Sequence, residues 1–102
     1  MARPRTELHQ ILVDILGSRN VYFQPPESLK LKYPCIVYER RGVFKDHADD
    51  IGYRVLKNYQ ITYMDEDPDS DIPDKLLELP KCSFDRHFTA DNLNHDTFTI
   101  YF

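Results

Sequence analysis

The side chains with the greatest capacity for chemistry are gathered in residues 65 to 78, DEDPDSDIPDKLLE, with five aspartates and two glutamates in fourteen positions. Carboxylates at this density could hold a divalent cation, act as a general acid and base, or cap a turn that enters a helix. A calcium loop of the helix–loop–helix type needs oxygen ligands at positions 1, 3 and 5, a glycine at 6 for the sharp turn and a bidentate glutamate at 12. Counting from Asp65 puts Ser70 at 6 and Leu76 at 12; counting from Asp67 gives Ile72 and Glu78, with Pro73 at 7. Neither register has the glycine. The same residues carry the marks of a helix start: Asp69 or Ser70 as N-cap, Pro73 in the first turn, and Asp71 and Asp74 where the helix dipole favours negative charge. The stretch therefore reads as a capped turn. Ile72, Leu76 and Leu79 form the apolar face of the helix that follows, and Pro80 ends it.

Other reactive residues show no pattern that a reaction requires. His9, His47, His87 and His95 fall in four different segments, with neither an i, i+4 pair nor an HExxH sequence. Ser18, Ser28, Ser70 and Ser83 lack the GxSxG context of a seryl nucleophile. Gly17, Gly42 and Gly52 are the only glycines, so no phosphate-cradling loop can be built. Cys35 and Cys82 stand alone, without the paired spacing of a zinc knuckle or redox site, and read as reduced core residues. No catalytic residue, metal site or cofactor is expected, and the chain does not read as an enzyme.

The 102 residues suit a single domain, residues 1–102, in which roughly 65% of the unfolded surface can be buried without disulfide or metal staples. Thirteen basic against seventeen acidic residues give a net charge of −4, so an overall basic surface for nucleic acid is lacking and no specific nucleic-acid binding is expected. No apolar run approaches the ~18 to 20 residues that span a bilayer. MARPRTELHQ lacks the apolar stretch of a secretion signal, and a soluble protein made inside the cell, with no membrane partner, is expected.

TELHQILVDILG places Leu8, Ile11, Leu12, Ile15 and Leu16 on one helical stripe, with Thr6 near the start and Gly17 as a stop. NVYF follows as a short strand. QPPESLKLKYP is an extended connection, because its paired prolines suit neither a helix interior nor a central strand. CIVYER is a buried strand, and RVLKNYQITYM alternates, with Val55, Tyr59, Ile61 and Tyr63 on one face. CSFDRHFTA and DTFTIYF form a hairpin around DNLNH. The order α-β-β-β-α-β-β predicts an α+β fold, a mostly antiparallel sheet with both helices on one face.

Two features suggest contact with other subunits. Aromatic residues make up 13% of the chain, and the alternation sets Tyr101 opposite Phe98, Ile100 and Phe102, and Tyr38 opposite Val37; tyrosines on an exposed sheet face often mark a contact surface. ERRGVFKDHADDIGY, residues 39 to 53, reads as a long polar loop in which Arg40, Arg41 and Lys45 precede Asp46, Asp49 and Asp50, with Phe44 between them. The candidate interface residues are Arg40, Arg41, Phe44 and Lys45 on that segment, and Asp65, Asp67, Asp69 and Asp71 on the acidic turn.

YFQPP, YPCIVY and DNLNHD, set in this order of elements, resemble the small tail-completion proteins of long-tailed bacteriophages, the tail-terminator type that joins tail to head, over nearly the whole chain. The resemblance implies an α+β subunit that assembles into a ring, typically a hexamer, at the end of the tail tube, terminating tail growth. It implies as partners further copies of the chain, the tail-tube protein and a head-completion or connector protein. It also implies a place in the virion at the head–tail junction after synthesis in the bacterial cytoplasm. Two alternatives stand beside it: another small head–tail connector of the stopper or adaptor kind, and a small acidic protein-binding module.

Overall fold

The computed structural model describes residues 4–48 and 52–102, with the side chains of 44–48 and 52–55 outside the description. Seven elements follow one another: α1 (Arg5–Leu16), β1 (Val21–Phe23), β2 (Cys35–Ala48), β3 (Gly52–Asp65), α2 (Ile72–Leu77), β4 (Cys82–Ala90) and β5 (Leu93–Tyr101). The strands form one sheet in the order β1-β2-β3-β5-β4, antiparallel except for the β1–β2 pair. This is the expected α+β fold with the expected order of elements. Among the described residues no helix is long and apolar enough to cross a membrane.

The alternation of β3 sets the core. Tyr59, Ile61 and Tyr63 lie beside Ile36 and Tyr38 of β2 and Phe98 and Ile100 of β5, and all seven are at most 2% exposed. Leu8 and Leu12 of α1 and Ile72 and Leu76 of α2 close over this face, where each fully buried side chain contributes about 1.5–3 kcal/mol. The other face carries Glu39, Gln60, Thr62 and Tyr101. α1 ends where Gly17 takes φ 74 and its N–H donates to the Val13 carbonyl at 2.9 Å, a left-handed cap that costs glycine little. α2 is only six residues long, too short to persist alone, so the burial of Ile72 and Leu76 holds it in place.

The segment expected to be a loop is strand. β2 and β3 continue past Arg40 and Tyr59 as a two-stranded arm, with seven facing pairs from Gly42–Asn58 to Ala48–Gly52. The pairs span roughly 20 Å at the usual rise per residue. β1 ends opposite Tyr38, and the chain end beside β3 reaches only Asn58 and Lys57, through Tyr101 and Phe102, so no strand flanks the arm beyond the Val43–Lys57 pair. The radius of gyration is 14.6 Å, with extents of 50 × 27 × 22 Å; about 13 Å is usual for a compact chain of this length. A bulge explains the misreading. Arg41 is an extra residue between the Arg40–Tyr59 and Gly42–Asn58 pairs, so the alternation of β2 changes phase there and no period-2 pattern runs through ERRGVFKD. Asp49, Asp50 and Ile51, the rest of that expected loop, lie outside the described residues.

Two smaller expectations are also corrected. Tyr38 is fully buried and belongs to the core, whereas Val37 takes the other face; Tyr101 is exposed as expected. The β4–β5 hairpin turns on Asp91 and Asn92 alone, with φ 54 and 63, the double positive-φ geometry of a two-residue turn that suits Asp and Asn. Leu93, 7% exposed, already belongs to β5. α1 begins at Arg5 after Pro4, with Thr6 near its start and Gly17 at its end as expected.

Candidate functional site

The acidic stretch is folded back on itself. Asp65 Oδ1 accepts from the Asp67 N–H at 3.1 Å, Asp67 Oδ1 from the Asp69 N–H at 2.9 Å, and Ser70 Oγ from the Ile72 N–H at 3.3 Å. These short side-chain-to-backbone bonds are what Asp and Ser supply to turns. The Tyr63 hydroxyl donates to Asp65 Oδ2 at 2.5 Å and lies 2.9 Å from Ser70 Oγ, tying the turn to the core face. Burial, then the bond to Asp65, raises the Tyr63 pKa, so the phenol remains a donor. Asn94 Nδ2 donates to the Asp65 and Glu66 carbonyls. The N-cap of α2 is Asp71, not Asp69 or Ser70 as expected; it makes no side-chain cap bond and lies 3.6 Å from Lys75. The turn is therefore a fixed projection. Its segment, residues 65 to 78, carries seven acids against Lys75, a net charge of −6.

The basic candidates lie at the opposite end of the same strand pair. Arg40 faces Tyr59 on the helix-covered side, whereas Arg41, in the bulge, donates to Gln60 Oε1 and lies 3.5 Å from Glu39. Phe44 and Lys45 are on the arm, and their side chains lie outside the described residues. From residue 57 to residue 65 the eight steps of β3 span roughly 27 Å, several times the ~8 Å over which charges are felt at physiological salt. The two sets of candidates are thus not brought together within one chain. Residues 40 to 58 carry five bases and three acids, net +2, and everything outside the two segments balances to zero. One end of the sheet is acidic and the other basic.

Sequence reading missed the side chains around Arg40. Arg40, Arg5, Lys57, Gln24, Phe23 and Tyr59 line a cavity of about 270 Å³ at the base of the arm, three cations with no carboxylate in the wall. The Arg5 guanidinium lies over the Phe23 ring at 4.3 Å from its centre and donates to the Tyr38 hydroxyl at 3.0 Å. The same hydroxyl is 2.8 Å from His9 Nδ1. Burial, then the nearby Arg5 charge, lowers the His9 pKa, so its neutral ring can accept from Tyr38. Lys57 is fixed by two backbone bonds with Phe102, at 2.8 and 3.3 Å. A faint signal existed in the sequence: Lys57 shares the parity of Tyr59 and so belongs to the core-facing row at its open end.

A second, apolar cavity of about 150 Å³ opens nearby among Leu8, Ile11, Leu56, Leu79, Ile100 and Phe102. Elsewhere His87 Nδ1 lies 2.6 Å from Asp96 Oδ1 across β4–β5, and the Thr99 hydroxyl donates to Asp85 at 2.7 Å. Both cysteines are free, and burial pushes each thiol up to about 11, with Asp85 adding to the effect at Cys82. They stay protonated at neutral pH and are poor nucleophiles. Among the described residues no three His, Cys, Asp or Glu side chains converge as metal ligands do. No protein-family model matches the chain, and no curated protein matches it.

Proposed function

We propose that this chain is a structural subunit of the head–tail junction of a long-tailed bacteriophage, assembling head to tail into a ring on the end of the tail tube, where it stops tail growth and joins tail to head. The observation that carries the reading is the placement of unlike surfaces at opposite ends of β3: the basic residues Arg40, Arg41 and Lys57 at the base of a projecting arm at one end, and an acidic turn tied by its own hydrogen bonds at the other. Two different surfaces on one subunit give a heterologous contact, which closes into a ring, whereas a twofold contact stops at a dimer. A two-stranded ribbon is marginally stable by itself, so an arm of seven pairs favours a partner that covers it. Exposed ion pairs contribute only about 0–1 kcal/mol each; they set register and orientation, and apolar residues of the arm such as Phe44 supply affinity. A subunit bound this weakly stays monomeric until the tube end holds neighbours at high effective concentration.

Electron microscopy of particles from a phage carrying this gene tests the reading. Deleting the gene should give overlong or unjoined tails beside filled heads, and Phe44→Ala should reproduce the defect in part. Normal, joined tails after complete deletion would overturn the proposal.

A further inference from the structure

The cavity at the base of the arm has the chemistry of an anion site. Arg5 and Arg40 present guanidinium donors, Lys57 an ammonium, and Gln24 a side-chain amide, and no acid stands among them. Guanidinium groups match a carboxylate with two parallel hydrogen bonds. The wall is also held in place. Arg5 is fixed between the Phe23 ring and the Tyr38 hydroxyl, and the main chain at Lys57 by its bonds to Phe102. Gln24 adopts φ 44, donates its N–H to the Tyr38 carbonyl at 3.0 Å, and accepts the Arg40 N–H on its side-chain oxygen at 3.3 Å. A non-glycine residue in the left-handed region costs on the order of 1 kcal/mol, and here it sets the Gln24 amide against the cations.

We propose that this cavity is a carboxylate-binding site whose occupant is the acidic turn of a second copy of the chain. The chain's own turn lies at the far end of β3, roughly 27 Å away along the strand, so it cannot fill the cavity in cis. The turn is the most acidic segment of the sequence, and its projecting aspartates are pre-set by their backbone bonds, which reduces the ordering cost of docking. The inference rests on the head-to-tail reading and sharpens it: the receiving residues are Arg5, Arg40 and Lys57 on the helix-covered side. Arg41, on the other side, is held by Glu39 and Gln60.

The test is calorimetric titration of the intact subunit, at low salt, with a synthetic peptide of residues 65 to 78, and separately with inorganic phosphate. The peptide should bind, and Arg40→Gln combined with Lys57→Gln should weaken it by about tenfold or more, as expected for lost charge-assisted bonds. Arg86→Gln, on β4 and away from the cavity, should leave binding within about twofold. Because Arg5 supports Tyr38, its replacement is left out of the main comparison; retained thermal unfolding confirms that the double variant is folded. Lys57→Glu should regain binding to a peptide carrying lysine in place of Asp67 and Asp69. No peptide binding, equal binding by the double variant, or binding of phosphate without peptide would each overturn the proposal. Peptide binding together with normal tails after gene deletion leaves the site standing and removes the ring; defective tails without peptide binding do the reverse.

Discussion

Over residues 35–40 and 59–65, β2 and β3 lie between β1 and β5 and under two helices, with Ile36, Tyr38, Tyr59 and Ile61 excluded from water. Beyond the Val43–Lys57 pair the same two strands run on without flanking strands, and Val43 is 62% exposed. The ladder is continuous across the boundary, so hydrogen bonding is not what distinguishes the halves. The difference is burial. The enclosed half contains the core that stabilises the subunit, whereas Val43, among the described residues of the arm, stands in water.

The largest effect expected from this contrast is on global stability. Phe98→Ala, in the enclosed half, should lower unfolding free energy by about 3–5 kcal/mol, measured by urea denaturation, while Val43→Ala should stay within about 0.5 kcal/mol. Similar losses at both positions would show that the arm shares the core. Amide exchange should report the same boundary without mutation. The N–H groups of Ile36 and Tyr38 should open only with global unfolding, and those of Phe44 and Asp46 at a free energy lower by about 2 kcal/mol or more. Equal protection along β2 would erase the contrast.

A smaller effect is expected at the tight turn. Asn92→Ala should cost about 1 kcal/mol, because alanine resists φ 63, and Asn92→Gly should cost nothing. The smallest effect concerns pH. His9 has a folded pKa below its ordinary 6.5, through burial and then Arg5, so its contribution is fully present above 6.5. It is lost as pH falls through the folded value, because the unfolded chain takes up a proton that the folded chain resists. His9→Gln should flatten the fall in thermal midpoint between pH 7.5 and 5.5; an unchanged slope would place the titration elsewhere.

Local patterns that coincide with burial were legible in the sequence. The stripe Leu8–Leu12, the alternation of Tyr59, Ile61 and Tyr63, and the acidic turn leading into a short helix each reflect one element's own physics, and together they predict the α+β order. The arm was hidden because one extra residue, Arg41, breaks the alternation of β2. The anion cavity was hidden for another reason: Arg5, Gln24, Arg40 and Lys57 come from four segments, and only the parallel pairing of β1 with β2 and the docking of α1 bring them together. Tyr38 shows the converse. Reading parity within YPCIVYER could not decide which row faces the helices, because Val37 and Tyr38 are both plausible core residues.

The unpaired Arg41 also gives β2 a spare link. Removing it would leave every partner from Cys35–Met64 to Ala48–Gly52 unchanged, taking away only the extra twist that a bulge confers. Loss of a single residue between Gly42 and Ala48 could likewise be absorbed by drawing Arg41 into the ladder, with the bulge consumed and the enclosed register preserved. The same deletion within Cys35–Arg40, absorbed in the same way, would shift the residues between it and Arg41 by one position and turn core side chains toward water. One residue of slack at the boundary lets the arm lose a residue while its pairing and the frame of the subunit beneath it are kept.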